Sequence, residues 1–315
     1  MEDDTVRLPR SAVLPGAAAP AQRRAISAEP PPAPAAGPVA TGRRGLILAG
    51  AAAAGLAAAG GGAWYLLQGQ PASVPGSLVA PRPEPRLPAG PPLLSEEEML
   101  AFHPRTPTAV RLSEEPRVFV LLFPDLDSQG AALNRIAALI EKRGLPRDRV
   151  LNDAELGAAI QAANLTPGTF YYGHNYRGED VERFFALAER QGVALNPMEL
   201  WLREQLSALA ALRLAPRDVA FVSAPGIEPR VDSLTRRAIL RHEIGHGHFF
   251  TNPVFAAHIR RVWRNDFSPS DRAAFITFLT REGYDPEQEE LMINEMMAYL
   301  LFTPDERFFS PAEVG

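Results

Sequence analysis

The uncharged segment 45–67 is the feature that most constrains how this chain can fold. It is rich in Ala and Gly, it follows a pair of arginines, and it ends close after Trp64-Tyr65. About 20 consecutive apolar residues cross the hydrocarbon core of a bilayer, and aromatic residues concentrate at the membrane interface. The pattern therefore predicts one N-terminal transmembrane helix within residues 43–67.

Charge on the two sides of this segment predicts its orientation. The first charge after it is Arg82, whereas the arginines before it are Arg7, Arg10, Arg23, Arg24, Arg43 and Arg44. Basic residues stay on the cytoplasmic side, so we expect a single-pass protein of a bacterial-type inner membrane with its N-terminus in the cytoplasm. The stretch 41–47 also resembles a twin-arginine export signal. Since no small-x-small cleavage site follows Leu67, we favour an uncleaved anchor over a removed signal peptide.

Composition divides the rest of the chain into three further parts. Residues 1–42 are mainly Ala, Pro, Arg and Gly, with few large apolar side chains, so we expect a disordered cytoplasmic tail. Residues 68–92 are rich in proline, which favours an extended spacer. Residues 93–315 remain as the folded domain, on the extracytoplasmic side of the membrane.

Two compositional facts limit the function. The chain has no cysteine, which excludes disulfides and every zinc site built on thiolates, so any metal must be held by histidine and carboxylate. The net charge of −5 provides no basic surface for nucleic acid. We therefore expect no nucleic-acid partner.

Hydrophobic periodicity predicts an α+β domain, in which a few-stranded sheet is followed by a mainly helical C-terminal half. The predicted strands are Val118–Phe123, Thr169–Tyr172 and Asp218–Ser223. The predicted helices are Ser95–Phe102, Ser128–Lys142, Asn152–Ala163, Glu179–Arg190, Pro197–Leu212, Leu234–Phe250, Phe255–Asn265, Pro269–Arg281 and Pro286–Phe302. Capping patterns support several of these helices, including Ser95 with Glu98 and Asn152 with Glu155.

The Leu234–Phe250 helix contains the motif His242-Glu243-Ile244-Gly245-His246. Residues four apart lie on one face of a helix, so His242 and His246 can reach the same metal ion, while Glu243 stands about 100° round the axis. Two imidazoles with a glutamate beside them are the equipment of a zinc hydrolase, with the glutamate as general base. The alternative is a pair of structural histidines with an unrelated glutamate between them.

A catalytic zinc site has three protein ligands, and Glu295 is the candidate for the third. On the Pro286–Phe302 helix this carboxylate lies on an apolar face, formed by Leu291, Met292, Ala298 and Tyr299. An ionised carboxylate in apolar surroundings needs a cation, because its desolvation costs several kcal/mol. The alternative partner is an arginine such as Arg241.

The H-E-x-x-H motif together with 294–299 (Asn-Glu-Met-Met-Ala-Tyr) resembles the gluzincin zinc metallopeptidases. That resemblance covers residues 218–302 and implies a zincin-like active-site helix, zinc bound by His242, His246 and Glu295, and Glu243 as the catalytic base. Tyr299 stands where thermolysin-like members carry an aspartate. The metzincin pattern is excluded, because Phe249 and Asn252 occupy the positions of its glycine and third histidine.

Two further residues are candidates for a catalytic role. Tyr299 follows Glu295 by one helical turn and is placed to donate to an oxyanion or to a zinc-bound carboxylate. His174 lies in a stretch of aromatic residues and glycine, 171–176, of the kind that can line a cleft. An ordinary packed loop is the alternative for His174.

The residues together predict a membrane-anchored zinc metallopeptidase that hydrolyses a peptide or protein substrate. The Asp218–Ser223 strand would pair with an extended substrate if it formed a sheet edge beside the metal helix. Two alternatives use the same residues. One is a catalytically silent binding or scaffolding domain, and the other is a zinc hydrolase of non-peptide amides such as cell-wall material.

Overall fold

Two buried, wholly apolar or nearly apolar strands form the centre of a five-stranded mixed sheet. The computed structural model describes residues 90–303 and 305–314. Its strands are β1 (Leu93–Leu94), β2 (Thr108–Leu112), β3 (Val118–Leu122), β4 (His174–Arg177) and β5 (Ala220–Ala224), in the order β1-β2-β3-β5-β4. Every residue of β3 and β5 is buried, and the two run parallel, as expected where both faces of a sheet are covered. The chain is thus α+β, with a helical C-terminal half.

Two predictions about the sheet need correction, and the sheet also has strands that were not predicted. The strand predicted at Thr169–Tyr172 is wrong: a 3-10 turn covers Pro167–Thr169, and β4 begins later, at His174. The strand predicted at Asp218–Ser223 exists as β5, but it pairs with both β3 and β4 and so has no free edge. β1 and β2 were not predicted, because β1 has only two residues and β2 is partly exposed.

Nine α-helices are seen in the described ranges. They are α1 (Glu96–Ala101), α2 (Leu126–Ile140), α3 (Asp153–Ala162), α4 (Gly178–Gln191), α5 (Pro197–Ala208), α6 (Ser233–Thr251), α7 (Pro253–Arg261), α8 (Pro269–Arg281) and α9 (Glu289–Met297). The capping boxes of Ser95 with Glu98 and Asn152 with Glu155 are confirmed. The single helix predicted at Pro286–Phe302 is not confirmed. α9 starts only at Glu289 and gives way to a π-helical segment, Ala298–Phe302.

Alternation along β3 divides the core into two layers. Phe119 and Leu121 point to the face covered by α2, α4 and α5, whereas Val118 and Val120 point to the face covered by α6. A third apolar cluster joins Phe249 of α6 to α7, α8 and α9. α6 therefore lies between the sheet and the C-terminal helices, so its side chains can meet residues from both.

Two features hold α6 in this position. The buried guanidinium of Arg236 donates to four backbone carbonyl oxygens, those of Met99, Leu100, Phe102 and Pro225, at 2.7–3.0 Å. Gly245 allows the π-helical segment to approach, because a Cβ there would lie 2.7 Å from the ring of Phe302. α6 is thus fixed to α1 on one side and to the end of α9 on the other.

The predictions for 1–42, 43–67 and 68–89 lie outside the described residues. No helix between Gly90 and Val314, with Pro304 set aside, combines the length and the apolar character that a membrane crossing requires. The tail, anchor and spacer stay predictions from the sequence.

Candidate metal centre

Three predicted ligands, His242, His246 and Glu295, lie together where α6 passes α9. The Nε2 atoms of the two imidazoles are 3.1 Å apart. The carboxylate of Glu295 lies 3.4 Å from Nε2 of His242 and 3.6 Å from Nε2 of His246. One potential ligand atom from each side chain lies within 4.8 Å of the other two, so these residues could hold a metal ion.

Burial makes this an unusual place for a carboxylate. Glu295 is 1% exposed, and burial raises the pKa of its carboxyl group, although His246 and a hydrogen bond from Tyr284 oppose the change. The alternative partner, Arg241, instead forms an ion pair with Glu96 at 2.7 Å. The arginine explanation for Glu295 is therefore wrong, and the two imidazoles are its neighbours.

The imidazoles are in the state that ligation requires. Burial lowers the pKa of His242 and of His246 to about 4, so both rings are neutral at pH 7. Oε2 of Glu295 is buried and has no hydrogen-bond partner among the described residues. Two neutral nitrogen donors facing a buried carboxylate with an unsatisfied oxygen fit a divalent metal cation.

Glu243 lies beside this cluster, and a residue of β4 holds its side chain by a hydrogen bond. Its side chain is buried, and Asn175 of β4 donates from Nδ2 to Oε2 at 3.1 Å. Gly173 leaves room for it, since a Cβ at that position would lie 2.2 Å from Oε1. Burial first, and the charge of Glu295 second, raise the pKa of Glu243 well above its ordinary value.

A cleft of about 100 Å³ opens onto Glu243 and His242. Its walls come from the segment before β4, from α6, and from the segments around the ends of α8 and α9. The lining side chains include Leu165, Thr169, Phe170, Tyr171, Tyr172, Ala238, Ile239, Tyr284, Tyr299 and Thr303. Five of these side chains are aromatic and others are polar, a mixture that can serve a ligand site.

Tyr299 lies next to His242, and another tyrosine, Tyr284, lies next to Glu295. The ring of Tyr299 meets that of His242 edge-on, with centroids 5.0 Å apart, and it lines the cleft. Tyr284, in the loop between α8 and α9, also lines the cleft and hydrogen-bonds to Glu295. Tyr284 was not predicted from the sequence, although a glycine, Gly283, precedes it, as in the aromatic and glycine-containing stretch 171–176.

His174 is not brought to the cluster. It is buried on β4, with Nδ1 3.2 Å from the hydroxyl of Ser223 and Nε2 3.4 Å from Oδ1 of Asn134. Burial lowers its pKa to about 3. Both ring nitrogens thus have partners in the core. His174 is therefore a packed residue, as in the alternative interpretation, and is not among the residues that line the cleft.

Thr303 is another residue of the site that was not predicted from the sequence. Its buried hydroxyl lies 2.9 Å from Nδ1 of His242, on the side of the ring that faces away from Glu295. Asn294, which directly precedes Glu295, is buried beside His246, and its hydrogen bond raises the pKa of that ring. The cluster is therefore surrounded by polar groups from α9 and from the residues after it.

Comparison of the chain with protein-family models, curated proteins and solved structures finds no match. Function must therefore be inferred from the site itself. The site consists of the cluster of His242, His246 and Glu295, the carboxylate of Glu243 and the cleft next to them.

Proposed function

We propose that the chain is a zinc-dependent peptidase of the gluzincin type, with His242, His246 and Glu295 as the metal ligands. The observation that carries this proposal is the convergence of two neutral imidazoles and one buried carboxylate within 4.8 Å, from two different helices. Two histidines and one glutamate are a ligand set of catalytic zinc sites, in which a fourth position stays open. His242 and Glu243 line the cleft, which would give a substrate access to a metal held by the cluster.

Bound Zn²⁺ would supply Lewis acidity and lower the pKa of water toward about 7. Glu243 would take the proton from the attacking water and deliver it to the leaving amine. Its neighbours suit this role, because the hydrogen bond from Asn175 fixes the carboxylate and Gly173 leaves it room. The raised pKa of Glu243 favours its protonated form, which suits the step in which it delivers a proton to the leaving amine.

A tyrosine of the cleft would stabilise charge that develops on the substrate. Tyr299 and Tyr284 both line the cleft beside His242, and a hydroxyl donor aimed at a developing oxyanion is a common device of such sites. We propose Tyr299 for this role, with Tyr284 mainly holding Glu295. Pairing of an extended substrate, first expected at the Asp218–Ser223 strand, would move to β4, the edge strand that carries Asn175.

The proposal includes the anchor: residues 45–67 would hold the domain on the extracytoplasmic side of the inner membrane. The substrate would then be a peptide or protein that reaches this surface. A silent scaffolding domain and a hydrolase of cell-wall amides are the competing outcomes, because each would use the same fold and ligands. Activity against a disordered protein separates the peptidase from both.

Zinc content of the purified full chain tests the ligand set. We expect about one zinc per chain, and loss of zinc in His246→Ala and in Glu295→Ala. Glu290→Ala is the matched control, since Glu290 is an exposed carboxylate on the same helix and pairs with Arg260. Stoichiometric zinc in Glu295→Ala would reject the site.

Hydrolysis of an unstructured protein, with and without chelator, tests the activity. We expect hydrolysis that chelator abolishes and that zinc restores. Zinc binding without hydrolysis of protein would favour the scaffold or the amide hydrolase. Hydrolysis that persists in chelator would exclude the metal mechanism.

A further inference from the structure

We propose that Thr303 is a positioning residue that fixes the orientation and tautomer of His242 for metal binding. The proposal rests on the proposed metal site and adds a residue that lies outside both sequence motifs. The two nitrogens of the His242 ring face different groups. Nε2 faces His246 and Glu295, whereas Nδ1 faces the hydroxyl of Thr303 at 2.9 Å.

The hydrogen bonds of Thr303 determine which nitrogen of His242 carries the proton. A threonine hydroxyl has one hydrogen to donate. In Thr303 it goes to the backbone carbonyl oxygen of Ala298, at 3.0 Å. The oxygen can therefore only accept from Nδ1 of His242, which must carry the hydrogen. In a neutral ring this leaves Nε2 with its lone pair directed at the cluster.

The π-helical segment Ala298–Phe302 is what brings Thr303 to this position. At about 100° per residue, an uninterrupted α-helix would place residue 303 about 80° away from the face of Glu295. Hydrogen bonds from i to i+5 wind the chain by a smaller angle per residue. Thr303 therefore returns to the side of the helix that carries Glu295, and both side chains reach His242.

Packing on α6 fixes this segment. Phe302 lies directly over Gly245, where any Cβ would come within 2.7 Å of the ring. Thr303 is 1% exposed, which limits the access of water to its hydroxyl. The glycine inside the H-E-x-x-H motif thus permits the approach through which Thr303 reaches His242.

Groups that hold the second nitrogen of a metal-binding imidazole typically change metal affinity 10- to 100-fold when removed. We expect Thr303→Val, which keeps the shape and removes the hydroxyl, to weaken zinc binding by about that factor. Thr303→Ser keeps the hydroxyl and should restore affinity to near that of the wild type. The matched control is Thr251→Val, because Thr251 is also buried and donates to a backbone carbonyl, that of Gly247, without touching a ligand.

Zinc dissociation constants of the full chain, measured by competition with a chromogenic chelator, give the first readout. ¹⁵N NMR of histidine-labelled, metal-free wild-type protein gives the second, which does not depend on how any variant folds. We expect the His242 resonances of the Nδ1–H tautomer. The Nε2–H tautomer overturns the proposal, as does a Thr303→Val protein with wild-type affinity or a Thr303→Ser protein as weak as Thr303→Val.

The two proposals fail in different ways. A wild-type chain that binds no zinc overturns the proposed function, and this inference with it. A wild-type chain that needs His246 and Glu295 for zinc, but is indifferent to the hydroxyl at 303, overturns this inference alone.

Discussion

Glu141, which is not one of the proposed metal ligands, offers a prediction about stability. It directly follows α2, is 8% exposed, and accepts a long hydrogen bond of 3.5 Å from the hydroxyl of Tyr176. Burial raises the pKa of its carboxyl group from 4.5 to about 8. The charge of Glu295 adds to the increase, while Lys142 and Arg147 oppose it.

The sign of the effect follows from linkage. Since the folded-state pKa is raised, the folded protein binds this proton more tightly than the unfolded chain does. The stabilisation is complete below about pH 4.5 and is lost as the pH rises through about 8. At roughly 1.4 kcal/mol per pH unit within this window, the loss reaches about 3 kcal/mol at pH 7 and at most about 5 above pH 8.

Glu141→Gln imitates the protonated carboxyl group at every pH, and its amide oxygen can still accept from Tyr176. We expect the variant to have about the same free energy of unfolding as the wild type at pH 4.5, and to be about 3 kcal/mol more stable at pH 7. Urea denaturation of the metal-free full chain, followed by circular dichroism from pH 4.5 to 9, measures this difference. Glu189→Gln, at an exposed position of α4, is the control.

The difference between Glu141→Gln and the wild type must grow with pH. A difference that stays constant, or a variant less stable than the wild type at pH 8, would refute the reasoning. A constant difference would mean that Lys142 and Arg147 balance the effect of burial on the carboxylate, and a less stable variant would mean that they outweigh it.

Three further predictions concern α6 and its neighbours. Glu243→Gln should keep zinc and lose activity by roughly 10²- to 10⁴-fold, the usual contribution of a general base, and retained turnover in a protease assay would exclude that role. Gly173→Ala should displace the Glu243 carboxylate, because the new Cβ would lie 2.2 Å from Oε1. We expect kcat to fall at least tenfold with zinc content unchanged, and an unchanged kcat would show that the carboxylate can move without loss of activity. Arg236→Met should lower the free energy of unfolding by about 3–5 kcal/mol in urea, because it leaves four carbonyl oxygens unpaired, and a loss below about 1 kcal/mol would mean that water replaces the guanidinium.

Local sequence signals predicted the helices well because their causes are local. Ser95 and Asn152 cap their helices through hydrogen bonds to residues three positions away. The spacing of His242 and His246 likewise follows from one helical turn, which no distant contact can change. The place of Glu295 was readable for a different reason, since a carboxylate on an apolar face requires a partner.

The strands and the irregular helix ends were predicted less well because their causes are distant. β1 exists through its pairing with β2, and β5 became an interior strand because β4 covers its second edge. The π-helical segment Ala298–Phe302 depends on packing over Gly245, more than fifty positions earlier in the chain. Such contacts leave no period in the sequence.

The grouping of His242, His246 and Glu295 was predictable from residue order, because two imidazoles one helical turn apart and a carboxylate on an apolar face each constrain their surroundings. The residues that hold this cluster and Glu243 became visible only in the folded arrangement. Asn175 meets Glu243 across 68 positions of sequence, and Thr303 meets His242 across 61. A polar side chain of this kind looks the same in sequence whether it faces water or a ligand, since folding alone determines what lies opposite its hydrogen-bonding atoms.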